Sequence, residues 1–263
     1  MPNPHPSRHR ATLGRTGLDV HRLGLSASYG MPTEAVEWAF ERGANYLYWG
    51  TRRRDEFSRA LRNLKQKRDR MVLVVQSYAP AGSLVAHSLE RALKKIDYEF
   101  ADVVLLGMWN RAVSPGVLDA CRRLRERGLV RHIAVSTHKR SLVPELAGTA
   151  DVGVVHFRYN AVHTGAERDI FPHLAGDRPG TVAFTATSWR KLLDRKKVPA
   201  GEAVPTAGDC YRFVLSNPNV DLCMTGLSSM DEARHAFDAL DRGPLGAEEM
   251  AWMRRVGGAI YGA

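Results

Sequence analysis

From residue 23 onward the chain alternates short runs of β-branched and small apolar residues with longer segments whose apolar positions recur every three to four residues. The short runs occupy 23–26, 45–49, 71–77, 101–106, 130–135, 152–157, 181–186 and 222–224, and each reads as a strand. The segments between them, 33–42, 55–64, 84–96, 116–127, a short one after Arg140, one around 167–174, then 207–216 and 230–240, carry the helical period. Within 84–96, for example, Leu84, Val85, Leu89, Ala92, Leu93 and Ile96 fall on one face. Gly128 follows the fourth helix, where a left-handed residue ends a helix at no steric cost. Strands that alternate with helices form βαβ units, and eight such units predict a closed (β/α)8 barrel. No Gly-x-Gly-x-x-Gly follows the first strand, so an open dinucleotide-binding sheet is unsupported.

Ahead of the first unit, Gly14 and Gly17 separate two short apolar runs within 11–20, which predicts a small β-hairpin at the bottom of the barrel. Residues 1–10, rich in Pro, His and Arg, read as a flexible tail, and 11–263 as a single domain. A last helix in 244–263, holding Trp252 and Tyr261, is expected to pack across the barrel.

Composition narrows the function classes. At 263 residues and 44% hydrophobic content, one barrel accounts for the whole chain. A formal net charge of +10 raises the prospect of an anionic ligand. Its arginines, however, sit singly on helix faces, as with Arg122, Arg123, Arg125 and Arg127, and no nucleic-acid-binding pattern accompanies them. Cys121, Cys210 and Cys223 lack ligand or disulfide spacing and read as reduced core residues. No run approaches the roughly 18 apolar residues of a membrane span, and no secretory signal is evident. The expectation is a cytoplasmic protein that contacts neither membrane nor nucleic acid.

In a (β/α)8 barrel, chemistry gathers at the C-terminal ends of the strands. The run Asn45-Tyr46-Leu47-Tyr48-Trp49-Gly50 is such an end, and it stops at Arg52, Arg53 and Arg54. Other strand ends supply Gln76, Trp109, Ser136, Thr137, His138, His156, Arg158, Thr185 and Trp189. Tyr48 beside an arginine would have its ionised form favoured, which suits a proton donor. His138 and His156 are candidate acids or bases near neutral pH, and two histidines without a neighbouring acid or thiolate make no metal site. Trp49, Arg52, Gln76, Trp109 and Arg158 are candidate contacts to a small, possibly anionic substrate, the arginines through paired hydrogen bonds.

Four segments resemble the aldo-keto reductase family in the family's own order: Leu13-Gly14-Arg15-Thr16-Gly17-Leu18 with Leu23-Gly24-Leu25, the stretch from Gly128 to Ser136, Arg158-Tyr159-Asn160, and Phe213-Val214-Leu215-Ser216-Asn217-Pro218. The resemblance spans nearly the whole chain. It implies a barrel that holds a nicotinamide cofactor, NADP or NAD, without a Rossmann unit and reduces a carbonyl. It further implies cofactor contacts at Ser136 and Thr137 to the carboxamide, at Tyr159 by stacking, and at Asn160 and Thr185. The run Thr225-Gly226-Leu227-Ser228-Ser229 resembles the phosphate cradle, with Gly226, Ser228, Ser229 and Arg234 as its contacts.

The usual catalytic Asp, Tyr, Lys and His fall at Tyr48, Arg53, Gln76 and Gly107, so all four differ. The expected adenine pair falls at His235-Ala236. Three readings stay open: an NAD(P)H-dependent oxidoreductase with a non-standard site in which Tyr48, Arg53, His138 and His156 act, a catalytically silent barrel that binds a small anionic ligand or a protein partner, and isomerase or lyase chemistry without hydride transfer.

Overall fold

A computed structural model of the chain describes residues 9–50 and 52–262. Strands β1 (Arg10–Thr12) and β2 (Asp19–His21) form an antiparallel hairpin. The next eight strands are β3 (Leu23–Ser26), β4 (Tyr46–Trp49), β5 (Val72–Ser77), β6 (Ala101–Leu106), β7 (Val130–Thr137), β8 (Val152–Arg158), β9 (Gly180–Phe184) and β10 (Leu222–Thr225). They run parallel in chain order, and β10 pairs back onto β3 to close the barrel. Outside lie α1 (Thr33–Glu41), α2 (Asp55–Asn63), α3 (Gly82–Ile96), α4 (Pro115–Glu126), α5 (Val143–Gly148), α6 (Ala166–Asp169), α7 (Ala207–Leu215), α8 (Met230–Asp241) and α9 (Ala247–Tyr261). None of the described helices is long and apolar enough to cross a membrane.

Strand periodicity sorts the core into two layers. Tyr46, Val72, Val74, Val103, Leu105, Ala134, Val154 and Val182 point into the barrel, while Leu47, Trp49, Leu73, Val75, Val104, Val135 and Phe157 pack outward against the helices. This is the inside-outside alternation that a two-residue repeat dictates. The hairpin closes the N-terminal end, since Leu13 and Val20 are fully buried among the inward residues. Gly14 makes that closure possible: its φ is +45°, and a Cβ there would lie 2.2 Å from the Gly180 backbone nitrogen.

Caps follow the sequence chemistry. Thr206 and Asp209 form a reciprocal capping box on α7, and Ser229 caps α8 by accepting from the Glu232 N–H. Gly128, at φ +73°, follows α4. Two expectations change. Arg10 opens β1 instead of belonging to a tail, while 1–8 lie outside the described residues. The helix expected around 167–174 is only α6 plus a single turn at Phe171–His173, because Pro172 lacks the N–H that a continuing helix needs.

At the barrel foot, Asp102 on β6 is almost fully buried. Its Oδ2 accepts from the Leu73 backbone N–H at 2.8 Å and pairs with Arg68 at 2.8 Å, and its Oδ1 accepts from Arg131 at 3.0 Å. Both guanidiniums also stack on Phe100.

Candidate active site

The C-terminal end of the barrel opens into a cavity of about 1030 Å³ that continues over β9 and β10 to the gap between α7 and α8. That volume is at the upper end of what small-molecule and cofactor sites occupy. Its two ends differ in chemistry. At the mouth the wall is made by Ser28, Tyr29, Tyr48, Gln76, Tyr78, Met108, Ser136, His138, His156 and Phe184, all without formal charge when the histidines are neutral. Towards α7 and α8 it includes Arg190, Glu232, His235, Asp238 and Arg242.

Tyr48 occupies an inward position on β4, and its hydroxyl donates to Gln76 Oε1. Burial holds its pKa well above the ordinary phenol range; the neighbouring Tyr78 and Tyr29 push the same way, and only the Ser28 hydroxyl opposes them. The arginine expected to lower it is not there. Arg52 and Arg53 are exposed and do not line the cavity, and Arg53 adopts φ +46° with its side chain beside Gly30. The structure thus does not bring Arg53 to Tyr48 as the sequence suggested, because the Arg53 side chain lies beside Gly30 instead.

His156 lies beneath the mouth on β8, fully buried, with Nε2 2.8 Å from Tyr46 Oη. Burial lowers its pKa to about 3, so the imidazole is neutral at physiological pH. His138 also lines the mouth, edge-on to Phe184, with its pKa lowered by burial and by Arg158. Of the other candidates, Ser136, Gln76, Thr185 and Gly226 line the cavity.

Several other candidates lie elsewhere, each for a physical reason. Trp49 faces out of the barrel, where its Nε1 donates to Ser58 Oγ at 2.8 Å and Arg54 stacks on its ring. Trp109 is buried among the residues that pack against the helices and is not part of the cavity wall. Arg158 stacks over Trp189 at 5.3 Å, near enough to the mouth to lower the pKa of His138, but does not itself line the cavity. Thr137 points its hydroxyl towards Asn110 Oδ1 at 3.3 Å. Tyr159 packs outside the barrel between Phe171 and Phe213 and donates to Glu167. Asn160 ties its own loop, accepting from the Val162 and His163 N–H groups and donating to the Thr185 carbonyl.

At the start of α8 the proposed phosphate cradle is filled from within. The Glu232 carboxylate accepts from both the N–H and the hydroxyl of Ser228, and Ser229 is spent as the helix cap. Arg234 pairs loosely with Asp231, on a face that does not line the cavity.

Residues that sequence reasoning did not single out complete the wall. Tyr78 stands two positions after Gln76, Phe184 two positions before Ala186, and Met108 directly after Gly107. Tyr29, Tyr78, Met108 and Trp189 are each about half exposed around the opening. Strand alternation is the signal that would have marked Tyr78 and Phe184, since each follows an inward residue by two.

The loop after β9 has a further feature. Thr185, Ser188, Trp189 and Arg190 all have positive φ, between +50° and +67°. The buried Ser188 hydroxyl in this loop has no hydrogen-bond partner among the described residues. No group of three or more metal-ligating side chains occurs among the described residues.

The fold compares directly with solved structures. Aldo-keto reductase AKR11C1 from Bacillus halodurans superimposes with a TM-score of 0.77 at 19% identity, covering 94% of this chain and 95% of that one. An aldo/keto reductase from Klebsiella pneumoniae, solved in complex with NADP and acetate, gives 0.79 at 20% identity and 95% of each chain. No curated protein matches the sequence. The model of the aldo/keto reductase family matches residues 34–197. That match covers more than half of the sequence and all the strands from β4 to β9, so this barrel, with its unfamiliar mouth, belongs to the aldo/keto reductase family.

Proposed function

We propose that the protein is an NAD(P)H-dependent oxidoreductase acting on a small molecule, with an active site that does without the usual Asp, Tyr, Lys and His. One observation carries this reading: a single continuous cavity joins the neutral barrel mouth at Tyr48 and Gln76 to the charged gap at His235 and Arg242. A dinucleotide needs such a shape, with an uncharged pocket at one end and polar groups at the other. Its nicotinamide end would meet Ser136, His138 and Phe184, and its adenosine end His235 and Arg242.

The loop after β9 fits the phosphates between them. It lines the cavity through Thr185, Thr187, Trp189 and Arg190, and the Arg190 guanidinium favours an anion. Bound there, the cofactor supplies hydride. The protein's own groups supply position and proton.

The missing cation sets the rate. A lysine or arginine beside the acid and a positioned proton donor each contribute on the order of 10²-fold or more. With Tyr48 held neutral by burial, turnover is expected to be slow. That same feature favours a second reading, in which the barrel binds its ligands and does not turn them over. The three cysteines, all free and buried, support a reducing and cytoplasmic setting.

Trp189, half exposed on the cavity wall, provides the test. NADPH or NADH should quench tryptophan fluorescence saturably at micromolar levels, and the quench should shrink in Trp189→Phe. A flat titration without a thermal shift for either nucleotide would rule the oxidoreductase out. Binding without turnover would leave the silent barrel.

A further inference from the structure

The mouth holds an amide with one end free. Gln76 is nearly buried at the end of β5, and Tyr48 Oη–H donates to its Oε1. In this arrangement the amide oxygen faces Tyr48 and Nε2 turns away from it. Among the described residues Nε2 has no hydrogen-bond partner, and it borders the space above Gly107. A Cβ at 107 would lie 2.6 Å from Gln76 Nε2 and 2.6 Å from the Tyr78 ring. Glycine at that position is thus what leaves a notch, roofed by Tyr78, in front of a free N–H donor.

The surroundings fix the class of ligand. No lysine, arginine, aspartate or glutamate is among the mouth residues, where Tyr29, Tyr78, Met108 and Phe184 share the wall with Ser28, Ser136 and His138. A carboxylate brought here would lose water and find no cationic side chain in the mouth wall, whereas a carbonyl oxygen would find a neutral donor beside the Tyr78 ring.

We propose that Gln76 Nε2 binds the carbonyl oxygen of an uncharged, apolar or aromatic substrate in the notch above Gly107, with Tyr48 as the positioning residue that orients the amide. The assignment rests on the barrel mouth being the substrate end of the proposed oxidoreductase, and it replaces the anion grip expected from Arg52, Arg53 and Arg158. The amide occupies the place of a family lysine but recognises an uncharged oxygen.

The probes are acetophenone and benzoate, which share a ring and differ in charge, titrated by calorimetry into the full-length protein. Acetophenone should bind saturably and at least tenfold more tightly than benzoate. Gln76→Met, which keeps volume and loses the donor, should weaken acetophenone about three- to tenfold. Gly107→Ala should abolish its binding while leaving NADPH affinity intact. Tyr48→Phe frees the amide to turn and should bring the ketone-to-carboxylate ratio towards one; a merely structural role would weaken both ligands alike.

Benzoate binding as tightly as acetophenone overturns the proposal, as does an unaffected Gln76→Met or no binding of either probe. Failure of the oxidoreductase reading looks different: acetophenone binds and neither nicotinamide nucleotide does.

Discussion

Lowering the pH from 6.5 towards 4 is expected to weaken the folding equilibrium by about a hundredfold or more per pH unit, roughly tenfold for each of two deeply buried histidines. His156 under the cavity and His21 at the end of β2 both have depressed pKa values, about 3 and about 4, mainly through burial. The native state therefore does not take up these protons in this range, while the unfolded chain does so below about 6.5. Stability is fully present above pH 6.5 and is lost as the pH falls towards the folded values.

The groups facing each ring do not rescue it. Among the described residues the one hydrogen-bond partner of His156 is the Tyr46 phenol; His21 stacks on Phe237, its protonation is favoured by the Leu23 carbonyl and by Asp241 and opposed by His9 and Arg10, and burial outweighs them. His132, His138 and His163 are also lowered and add in the same direction. The midpoint of urea unfolding, measured from pH 7 to pH 4.5, should fall steeply below 6.5. In His156→Gln the slope should ease by about tenfold per unit. A midpoint that stays level between pH 7 and 5 would refute the assignment of neutral, buried imidazoles.

Asp102→Ala is expected to cost about 1.5–3 kcal/mol, the range for losing hydrogen bonds to a buried charged group, and less than for a fully buried ion pair because Arg131 and part of Arg68 reach solvent. The substitution strands the Leu73 N–H inside the β5–β6 foot and leaves Arg68 and Arg131 facing each other across Phe100 without their shared anion. Asp102→Asn keeps an acceptor for Leu73 and should cost less. Because the site is at the opposite end of the barrel from the cavity, nucleotide affinity in both variants should match the parent protein's. Urea unfolding reads the first quantity and fluorescence titration the second. A loss below about 1 kcal/mol in Asp102→Ala would mean that the foot does not depend on this carboxylate.

The barrel was legible because its signals are local and repeated. Eight alternations of period two and period 3.6, with Gly128 marking the end of α4, place nearly every element within a few residues, whereas the helix expected at 167–174 runs across the stop that Pro172 imposes. Individual side chains were less so, because a one-residue difference reverses which way a strand residue faces. Tyr46 and Tyr48 point inward, so Trp49 must point outward; His156 points inward, so Tyr159 falls on the outer side.

At the start of α8 the spacing of Ser229 and Glu232 is that of a capping pair, and capping claims the groups that a phosphate cradle would need. What no local pattern holds is the turn of 52–54 away from the mouth and the fit of Tyr78 over Gly107, both of which depend on elements distant in sequence.

The run of left-handed residues at 188–190 bears on how this cavity could be reshaped. Each non-glycine residue there carries a backbone penalty of about 1–2 kcal/mol that glycine would not. Glycine's larger entropy loss on folding returns about 0.5–1 kcal/mol of that gain. Replacing Trp189 by glycine thus removes the bulkiest side chain from the rim while its backbone relaxes, so the change should be close to neutral for stability. Most enzymes resist widening because their pocket walls are also their core. Here the rim of the pocket is the part of the wall that the fold can most easily give up.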